Sequence, residues 1–126
     1  MLEIVQRRAT KTPSALKNLP YEIRCKRLGL TSLIARRTRG DLIQMFKIVR
    51  GYDKINWYNR PLTVGAMRGK RQQYRREIVK SCDKRHYFFT NRMANVWNGL
   101  TDNIVNALTV NNFKNRLDKH SKLAAS

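Results

Sequence analysis

The strongest constraint on the fold lies in residues 28–51, LGLTSLIARRTRGDLIQMFKIVRG, where one helix is delimited by its own end signals. Gly29 suits the left-handed residue that ends a preceding helix, and the hydroxyl of Thr31 or Ser32 can cap the next one. Gly51 suits the end of that helix. Apolar residues share one of its sides, at Ile34, Leu42, Met45, Phe46 and Val49. The pattern predicts an amphipathic helix that packs this side against other elements.

Helix signals also precede this segment. Leu2, Val5 and Ala9 share one face of an N-terminal helix. Pro20 suits a first helical position, and the following helix carries an apolar stripe of Tyr21, Cys25 and Leu28. Within the 28–51 segment, Gly40 costs the helix about 1 kcal/mol relative to alanine. Gly40 therefore indicates a break in the helix or a close backbone approach.

The C-terminal part predicts three further short helices. Thr90 can cap the first of them and Thr109 the last. In chain order, their apolar residues are Met93, Val96 and Trp97; Ile104, Val105 and Leu108; and Phe113 and Leu117.

The middle of the chain is less regular. Residues 52–74 contain Pro61, Gly65 and Gly69 and predict a long loop. Residues 78–79 and 87–89 are rich in β-prone side chains. The expected fold is mainly α: a small helical domain with a long irregular basic loop and one or two short β segments.

We expect three segments within one domain. They are a helical segment at 1–51, a basic loop or arm at 52–86, and an aromatic and helical segment at 87–126 that packs on the first.

Charge restricts the class of partner. The 126 residues contain 27 Lys and Arg against 8 Asp and Glu, which gives a net charge of +19. Self-repulsion of this size destabilises a compact chain, so an anionic partner is expected. Nucleic acid is the first candidate, because each cation that neutralises a phosphate adds affinity. Arginine outnumbers lysine, which favours bidentate phosphate contacts. An anionic membrane surface or an acidic protein remains open.

The compartment follows from what the sequence lacks. Cys25 and Cys82 form no CxxC pair, so reduced cysteines are expected. There is no apolar run near 18 residues and no signal-peptide core at the N-terminus. We expect a soluble, intracellular protein, nuclear or cytoplasmic, that does not use a membrane.

The densest basic tract spans residues 68–85, where eight cations face only Glu77 and Asp83. Tyr74 and Tyr87 are candidates for stacking on unpaired bases while the cations contact phosphates. The alternative is a solvated loop whose charge only keeps the chain soluble. The eight cations are Arg68, Lys70, Arg71, Arg75, Arg76, Lys80, Lys84 and Arg85.

A second basic cluster lies on the 28–51 helix, at Arg36, Arg37 and Arg39. Adjacent arginines point to different sides of a helix, so the three cannot all face one ligand. Asp41 can pair with Arg37 four residues earlier, which would make part of the cluster structural. Phosphate contact and structural pairing both stay open. Near the N-terminus, Arg7 and Arg8 can extend the same basic face.

No recognised catalytic or metal-binding motif occurs. Cys82 and His86 have ligand spacing, but a structural zinc site needs four ligands and only Cys25 and His120 remain. No hydrolase motif and no glycine-rich phosphate loop is present. We therefore expect no metal, no cofactor, no small-molecule substrate and no independent enzymatic activity.

Several runs resemble one family of nucleic-acid enzymes. VQRRATK at 5–11, LPYEIRCKRLGL at 19–30 and RRTRGDLIQMFKIVRG at 36–51 are similar to the region after the polymerase palm of LINE-type, jockey-like non-LTR retrotransposon reverse transcriptases. YFFTNRMANVWNGL and NIVNALTVNNFKNRLDKH resemble their C-terminal tail. Two departures are Gly99 to Thr101, where such sequences usually carry proline, and His120-Ser121, where they often end in His-Trp.

The resemblance implies a position in a longer enzyme more than an activity. The polymerising aspartates and the endonuclease of such RNA-directed DNA polymerases lie upstream, so residues 1–51 would be a thumb-like segment. It implies that the cations around Arg36, Arg37 and Arg39 grip template–primer or element RNA, with the upstream polymerase domain as a further partner. The resulting hypothesis is a non-catalytic segment that binds RNA or DNA. The alternative is a structural piece of a polyprotein, or a host-adopted protein-interaction module.

Overall fold

The computed structural model describes residues 2–56, 62–64, 73–86 and 88–124, and helices dominate it. The prediction of a mainly helical fold is confirmed. The helices are α1 (Leu2–Ala9), α2 (Tyr21–Arg27), α3 (Leu33–Val49), α4 (Asp83–His86), α5 (Phe89–Asn98), α6 (Asp102–Val105) and α7 (Val110–Ala124), with a 3₁₀ turn at Ser14–Leu16. Two short strands, β1 (Leu62–Val64) and β2 (Gln73–Arg75), pair antiparallel with Leu62 opposite Arg75.

The chain divides into two compact units, unit 1 at Met1–Gly40 and unit 2 at Asp41–Ser126. The boundary between the two units lies within α3. It coincides with neither of the predicted segment boundaries, which lie after residues 51 and 86. That three-part division stays a prediction.

Unit 2 is built on an apolar core that includes stacked aromatic rings. The rings of Phe46 and Phe113 lie 4.3 Å apart between centroids, with an interplanar angle of 17°. The Trp97 ring also stacks on the Phe113 ring, with 6.1 Å between the ring centroids. The core comprises Leu42, Met45 and Phe46 from α3, Met93 and Trp97 from α5, Leu100, Ile104, Ala107, and Phe113 and Leu117 from α7. Spacings of three and four residues place each helix's share on one face.

The end of α3 is tied to the segment after α6. The Arg50 guanidinium donates to the carbonyl oxygens of Val105 at 3.3 Å and Ala107 at 3.2 Å. It also lies 5.7 Å from the centre of the Phe46 ring. The Tyr52 hydroxyl donates to the Leu108 carbonyl oxygen at 3.3 Å. These bonds satisfy carbonyl groups that the end of a short helix leaves without intrahelical partners.

Unit 1 is organised by hydrogen bonds around Tyr21. The Tyr21 hydroxyl donates to Glu3 Oε1 at 2.6 Å, and Gln6 Nε2 donates to the same hydroxyl at 2.9 Å. The second Glu3 oxygen accepts from the backbone N–H of Leu33 at 3.1 Å, which joins α1 to the start of α3. The described buried side chains of unit 1 are Thr10, Leu16, Arg24 and Cys25.

Arg24 is the buried cation of that network. Its Nε donates to Thr10 Oγ1 at 3.1 Å, and its terminal nitrogens donate to the carbonyl oxygens of Leu19 and Arg7. The guanidinium also lies 5.7 Å from the centre of the Tyr21 ring. Arginine tolerates this burial because its planar fork meets several acceptors at once.

The predicted N-terminal caps of α3 and α7 are confirmed, and so are the glycine signals before and after α3. Ser32 Oγ accepts from the Ala35 N–H at 3.1 Å, and Thr109 Oγ1 accepts from the Asn112 N–H at 3.1 Å. Gly29 and Gly51 both adopt positive φ, at 64° and 76°. Gly40, by contrast, causes no break: α3 is continuous, and a Cβ on Gly40 would meet no atom within 4 Å.

Other local predictions were wrong. The N-cap of α5 is Phe88 rather than Thr90, and residues 78–79 form no strand. The strands lie instead at Leu62–Val64 and Gln73–Arg75, so part of the loop predicted at 52–74 is paired. Phe89 is the first residue of α5, and the packing of Met93 and Trp97 in the core stabilises that helix. Leu108 lies outside α6.

Asp41 does not pair with Arg37 as the alternative interpretation of the cluster suggested. Its carboxylate binds the Arg92 guanidinium at 2.8 Å, 51 residues further along the chain. The predicted apolar side of α3 is buried only at Leu42, Met45 and Phe46, while Ile34 is 72% exposed.

No described helix combines the length and the hydropathy that a membrane crossing requires.

Replacing Phe113 by alanine removes the ring at the centre of the unit 2 core. We expect a loss of about 3–5 kcal/mol in the free energy of unfolding, because a buried aromatic side chain is lost and a cavity remains. Urea denaturation followed by circular dichroism measures the change. The control is Phe88→Ala, where the ring is 51% exposed, and a similar loss there would contradict the assigned core.

The pKa of Tyr21 is raised from its ordinary value of 10.0 to about 12. The hydrogen bond to Glu3 is the main cause, and burial is the next. The protonated phenol is the favoured form in the folded state. The linked stability is therefore fully present below pH 10 and is lost as the pH rises through about 12.

We expect Glu3→Ala to lower the pKa of Tyr21 towards 10.0, because the main acceptor of the phenol proton is removed. Ultraviolet titration of phenolate, with the Tyr21→Phe spectrum subtracted, measures this pKa. The matched control is Glu22→Ala, an exposed carboxylate beside Tyr21. An equal shift in both variants would show that charge, rather than the hydrogen bond, sets the pKa.

Candidate nucleic-acid interface

Some of the cations are used inside the fold, and these must be separated from those that can reach a ligand. Arg24 is buried in unit 1, and Arg50 caps carbonyl groups in unit 2. Arg92 pairs with Asp41, and Arg116 donates to the carbonyl and the side-chain oxygen of Asn103. None of these four arginines was a predicted site residue, so the prediction did not mistake them for ligand contacts.

The basic segment that includes β2 is fixed to α5 by two asparagine side chains. Asn98 accepts from the Tyr74 N–H at 3.0 Å and donates to the Tyr74 carbonyl oxygen at 2.6 Å. Asn91 makes the same pair of bonds with Glu77, at 2.7 Å and 3.2 Å. Each amide thus satisfies both backbone groups of one residue, as a neighbouring strand would. We call Asn91 and Asn98 the asparagine clamp.

The spacing of the clamp explains why the segment lies extended along α5. Asn91 and Asn98 are seven residues apart, which is roughly 10 Å along a helix at its usual rise. Tyr74 and Glu77 are three residues apart, which is also roughly 10 Å in an extended chain. Two turns of helix therefore match three residues of strand, and both amides can bind at once.

The clamp fixes the backbone at Tyr74 and Glu77, on either side of Arg75 and Arg76. Along β2 the side chain of Tyr74 is half-buried and packs against the unit 2 core, so Arg75 points away from it and is exposed. Arg76 donates to His86 Nε2 at 3.2 Å, which links the segment to α4. Lys80 and Lys84 are exposed. Of the predicted tract, Arg75, Lys80 and Lys84 therefore present their charge to solvent.

Tyr74 occupies a different place from the one expected of a stacking residue. Its ring packs partly against the core, and its backbone is held by Asn98. The sequence pattern missed this because alternation along a three-residue strand decides which side chain faces inward.

The predicted cations of unit 1 lie on α1 and α3. Arg7, Arg8 and Arg37 are exposed, while Arg39 is half-buried. The Arg7 guanidinium lies 4.9 Å from the centre of the Tyr21 ring. Arg36 is exposed and donates to Gln6 Oε1 at 2.8 Å, so it joins α3 to α1. Arg7 and Arg36 thus meet the same polar network from two helices.

Part of the predicted site lies outside the described residues. These are Arg68, Lys70, Arg71 and Tyr87, together with the side chain of Arg85.

Neither cysteine forms a disulfide; Cys25 is buried and Cys82 is exposed. Within residues 2–56, 62–64, 73–86 and 88–124, no group of three or more His, Cys, Asp or Glu side chains is placed to hold a metal ion.

Sequence reasoning missed the asparagine clamp. Asn91 is 4% exposed, an unusual burial for a polar side chain unless it is fully hydrogen-bonded, but burial is not visible in the sequence. The spacing of seven residues places Asn91 and Asn98 on one side of a helix and does not identify the backbone groups that they bind.

We expect Asn91→Ala to lower the free energy of unfolding by about 1–3 kcal/mol, because the buried Asn91 amide and its two hydrogen bonds to the N–H and carbonyl of Glu77 are lost. Amide hydrogen exchange at Glu77 should accelerate at the same time. Asn95→Ala, at an exposed position of α5, is the matched control and should stay within about 0.5 kcal/mol. Unchanged exchange at Glu77 in the Asn91 variant would disprove the clamp.

The chain gave no significant match to protein-family models, to curated proteins or to solved structures.

Proposed function

We propose that this chain is a non-catalytic segment that binds RNA or an RNA–DNA duplex through exposed arginine and lysine side chains. The observation that supports the proposal best is the asparagine clamp, which holds the chain extended from Tyr74 to Glu77 and leaves Arg75 exposed between them. A fixed backbone lowers the entropy lost when Arg75 binds a phosphate. Lys80 and Lys84 are exposed further along the same basic tract.

The charge distribution supports the same proposal. Unit 1 carries ten cations against Glu3 and Glu22, and Glu3 is bonded to Tyr21 and Leu33. Unit 2 carries the remaining seventeen cations against six acidic residues. Each unit therefore attracts a polyanion by itself, and arginine at several exposed positions suits bidentate phosphate contact.

The proposed biological context is the post-palm, C-terminal part of a LINE-type, jockey-like reverse transcriptase. The sequence runs at 5–11, 19–30 and 36–51 support this origin by resemblance. In such an enzyme the chemistry would lie in upstream domains. This segment would help to hold the template–primer or the element RNA.

The proposal predicts that replacing exposed cations weakens binding locally. We expect Lys80→Gln with Lys84→Gln to weaken RNA binding by about tenfold at moderate salt, because two phosphate contacts are lost. The slope of log affinity against log salt should shrink by about 1.4–1.8 in magnitude. Fluorescence anisotropy of a labelled RNA and of an RNA–DNA duplex, at several salt concentrations, measures both quantities.

The control is Lys54→Gln with Lys119→Gln, which removes the same charge at two other exposed positions. It should change affinity much less. Equal weakening by both pairs would indicate a general charge effect instead of contacts by the basic tract. Wild-type binding that did not depend on salt would reject phosphate binding altogether.

A further inference from the structure

Helix α1 turns its polar side towards the rest of unit 1. Glu3, Gln6 and Thr10 all bond to side chains or backbone of α2, α3 or the intervening segments. Arg7 lies over the Tyr21 ring, and its carbonyl oxygen accepts from Arg24. At 100° per residue these four positions span one continuous arc of the helix. The inward side of α1 is therefore polar.

The opposite arc of α1 is apolar and exposed. We call Leu2, Ile4, Val5, Arg8 and Ala9 the outer face of α1. Leu2 is 75% exposed, Ile4 55% and Val5 61%. Arg8 and Ala9 are exposed as well. The helix contributes no buried residue to the structure.

This arrangement reverses the usual one for a surface helix, whose apolar side normally packs on the core. The reversal is not a consequence of loose packing, because seven hydrogen bonds join Glu3, Gln6, Thr10 and the Arg7 carbonyl oxygen to α2, α3 and the segment between them. Rotating the helix to bury Val5 would break that network. Leu2, Val5 and Ala9 lie within about 60° of one another around the helix, with Ile4 on the other side of Arg8. These exposed side chains thus remain available for an external contact.

We propose that the outer face of α1 docks an amphipathic helix of a partner protein whose apolar stripe is flanked by acidic residues. The charge of the outer face decides the chemistry of the partner. Arg8 projects between Ile4 and Val5 around the helix, while Glu3 is turned inward. An apolar stripe on the partner covers the aliphatic side chains, and carboxylates beside it meet Arg8.

The same charges argue against a second copy of this chain. Pairing two outer faces would bring Arg8 of one copy near Arg8 of the other. The two copies of unit 1 brought together would each carry a net charge of +8. Like charges placed opposite each other in an interface cost binding free energy. Nucleic acid fits poorly too, because aliphatic side chains offer phosphates no hydrogen bond and bases no ring to stack on.

A lipid surface is less suited than a protein helix. Helices that lie in a membrane interface carry a large basic polar face that remains available to the lipid headgroups. Here the polar face of α1 is occupied by Tyr21, Arg24 and Arg36 of unit 1. The proposal goes beyond nucleic-acid binding, because it concerns a different surface and needs no RNA.

The test uses the full chain and two synthetic helical peptides. Both carry leucine at i, i+3 and i+7; one has glutamates beside the leucines, and the other has lysines at those positions. Fluorescence anisotropy of the labelled peptides measures affinity. We expect the acidic peptide to bind, and Val5→Ser and Arg8→Glu each to weaken it about tenfold. Arg8→Glu should also gain affinity for the lysine peptide.

The control variant is Leu108→Ser, which removes an 80% exposed leucine of unit 2 and should leave binding unchanged. RNA binding should be unaffected by Val5→Ser, which separates this proposal from the preceding one. No binding of the acidic peptide up to about 1 mM would overturn it. So would equal binding of both peptides, or an equal effect of Leu108→Ser.

Three further outcomes would assign the face to another occupant and reject the proposal. Binding to anionic vesicles that Val5→Ser abolishes would identify a lipid surface. Self-association lost in the same variant, measured by sedimentation, would identify a second copy. A lower urea midpoint for Val5→Ser would show that the chain itself covers this face.

Discussion

The contact between Phe46 and Phe113 is the interaction on which unit 2 depends. It joins residues that are 67 positions apart, and so fixes α3 against α7. Trp97 adds α5 to the same stack, and Arg50 lies over the Phe46 ring. The orientation of α5 then decides where Asn91 and Asn98 point. The exposure of the basic segment is thus a remote consequence of an aromatic core.

The two units are stabilised by different kinds of interaction. Unit 2 gains stability mainly from apolar burial, which is non-directional and tolerates small shifts. Unit 1 instead buries Thr10 and Arg24 and connects its helices through the Tyr21 hydroxyl. Hydrogen bonds contribute little net free energy each, but an unsatisfied buried group costs more. Unit 1 therefore depends on completeness of its network, whereas unit 2 depends on packing.

Local signals in the sequence predicted the helices well, because caps and glycine conformations act within a few residues. Ser32, Thr109, Gly29 and Gly51 all act within a turn of the helix end that they define. Thr90 and Gly40 were misleading local signals, because α5 is capped at Phe88 and α3 continues through Gly40. The other failures were non-local. The partner of Asp41 is Arg92, 51 residues away, and the asparagine clamp joins β2 to a helix that starts fourteen residues later. No periodicity encodes such pairs.

The sequence predicted which residue types make up the candidate site, but it did not predict how they are arranged. The density of cations in residues 68–85 was visible in the sequence, but burial decides which of them meet solvent. Tyr74 is half-buried and its neighbour Arg75 is exposed, a difference set by strand alternation against α5. Leu2, Val5 and Ala9 were predicted to share one face of α1, yet the direction of that face follows from where Glu3 and Gln6 find partners.

The arginines that bond to other parts of the fold also change how the amino-acid usage should be understood. The sequence has sixteen arginines and eleven lysines, a bias that favours phosphate recognition. At least four arginines, Arg24, Arg50, Arg92 and Arg116, are instead crosslinks of the fold. A lysine could not replace their forked geometry. Without them twelve arginines stand against eleven lysines, so the surplus of guanidinium groups records the architecture of the chain more than the chemistry of its ligand.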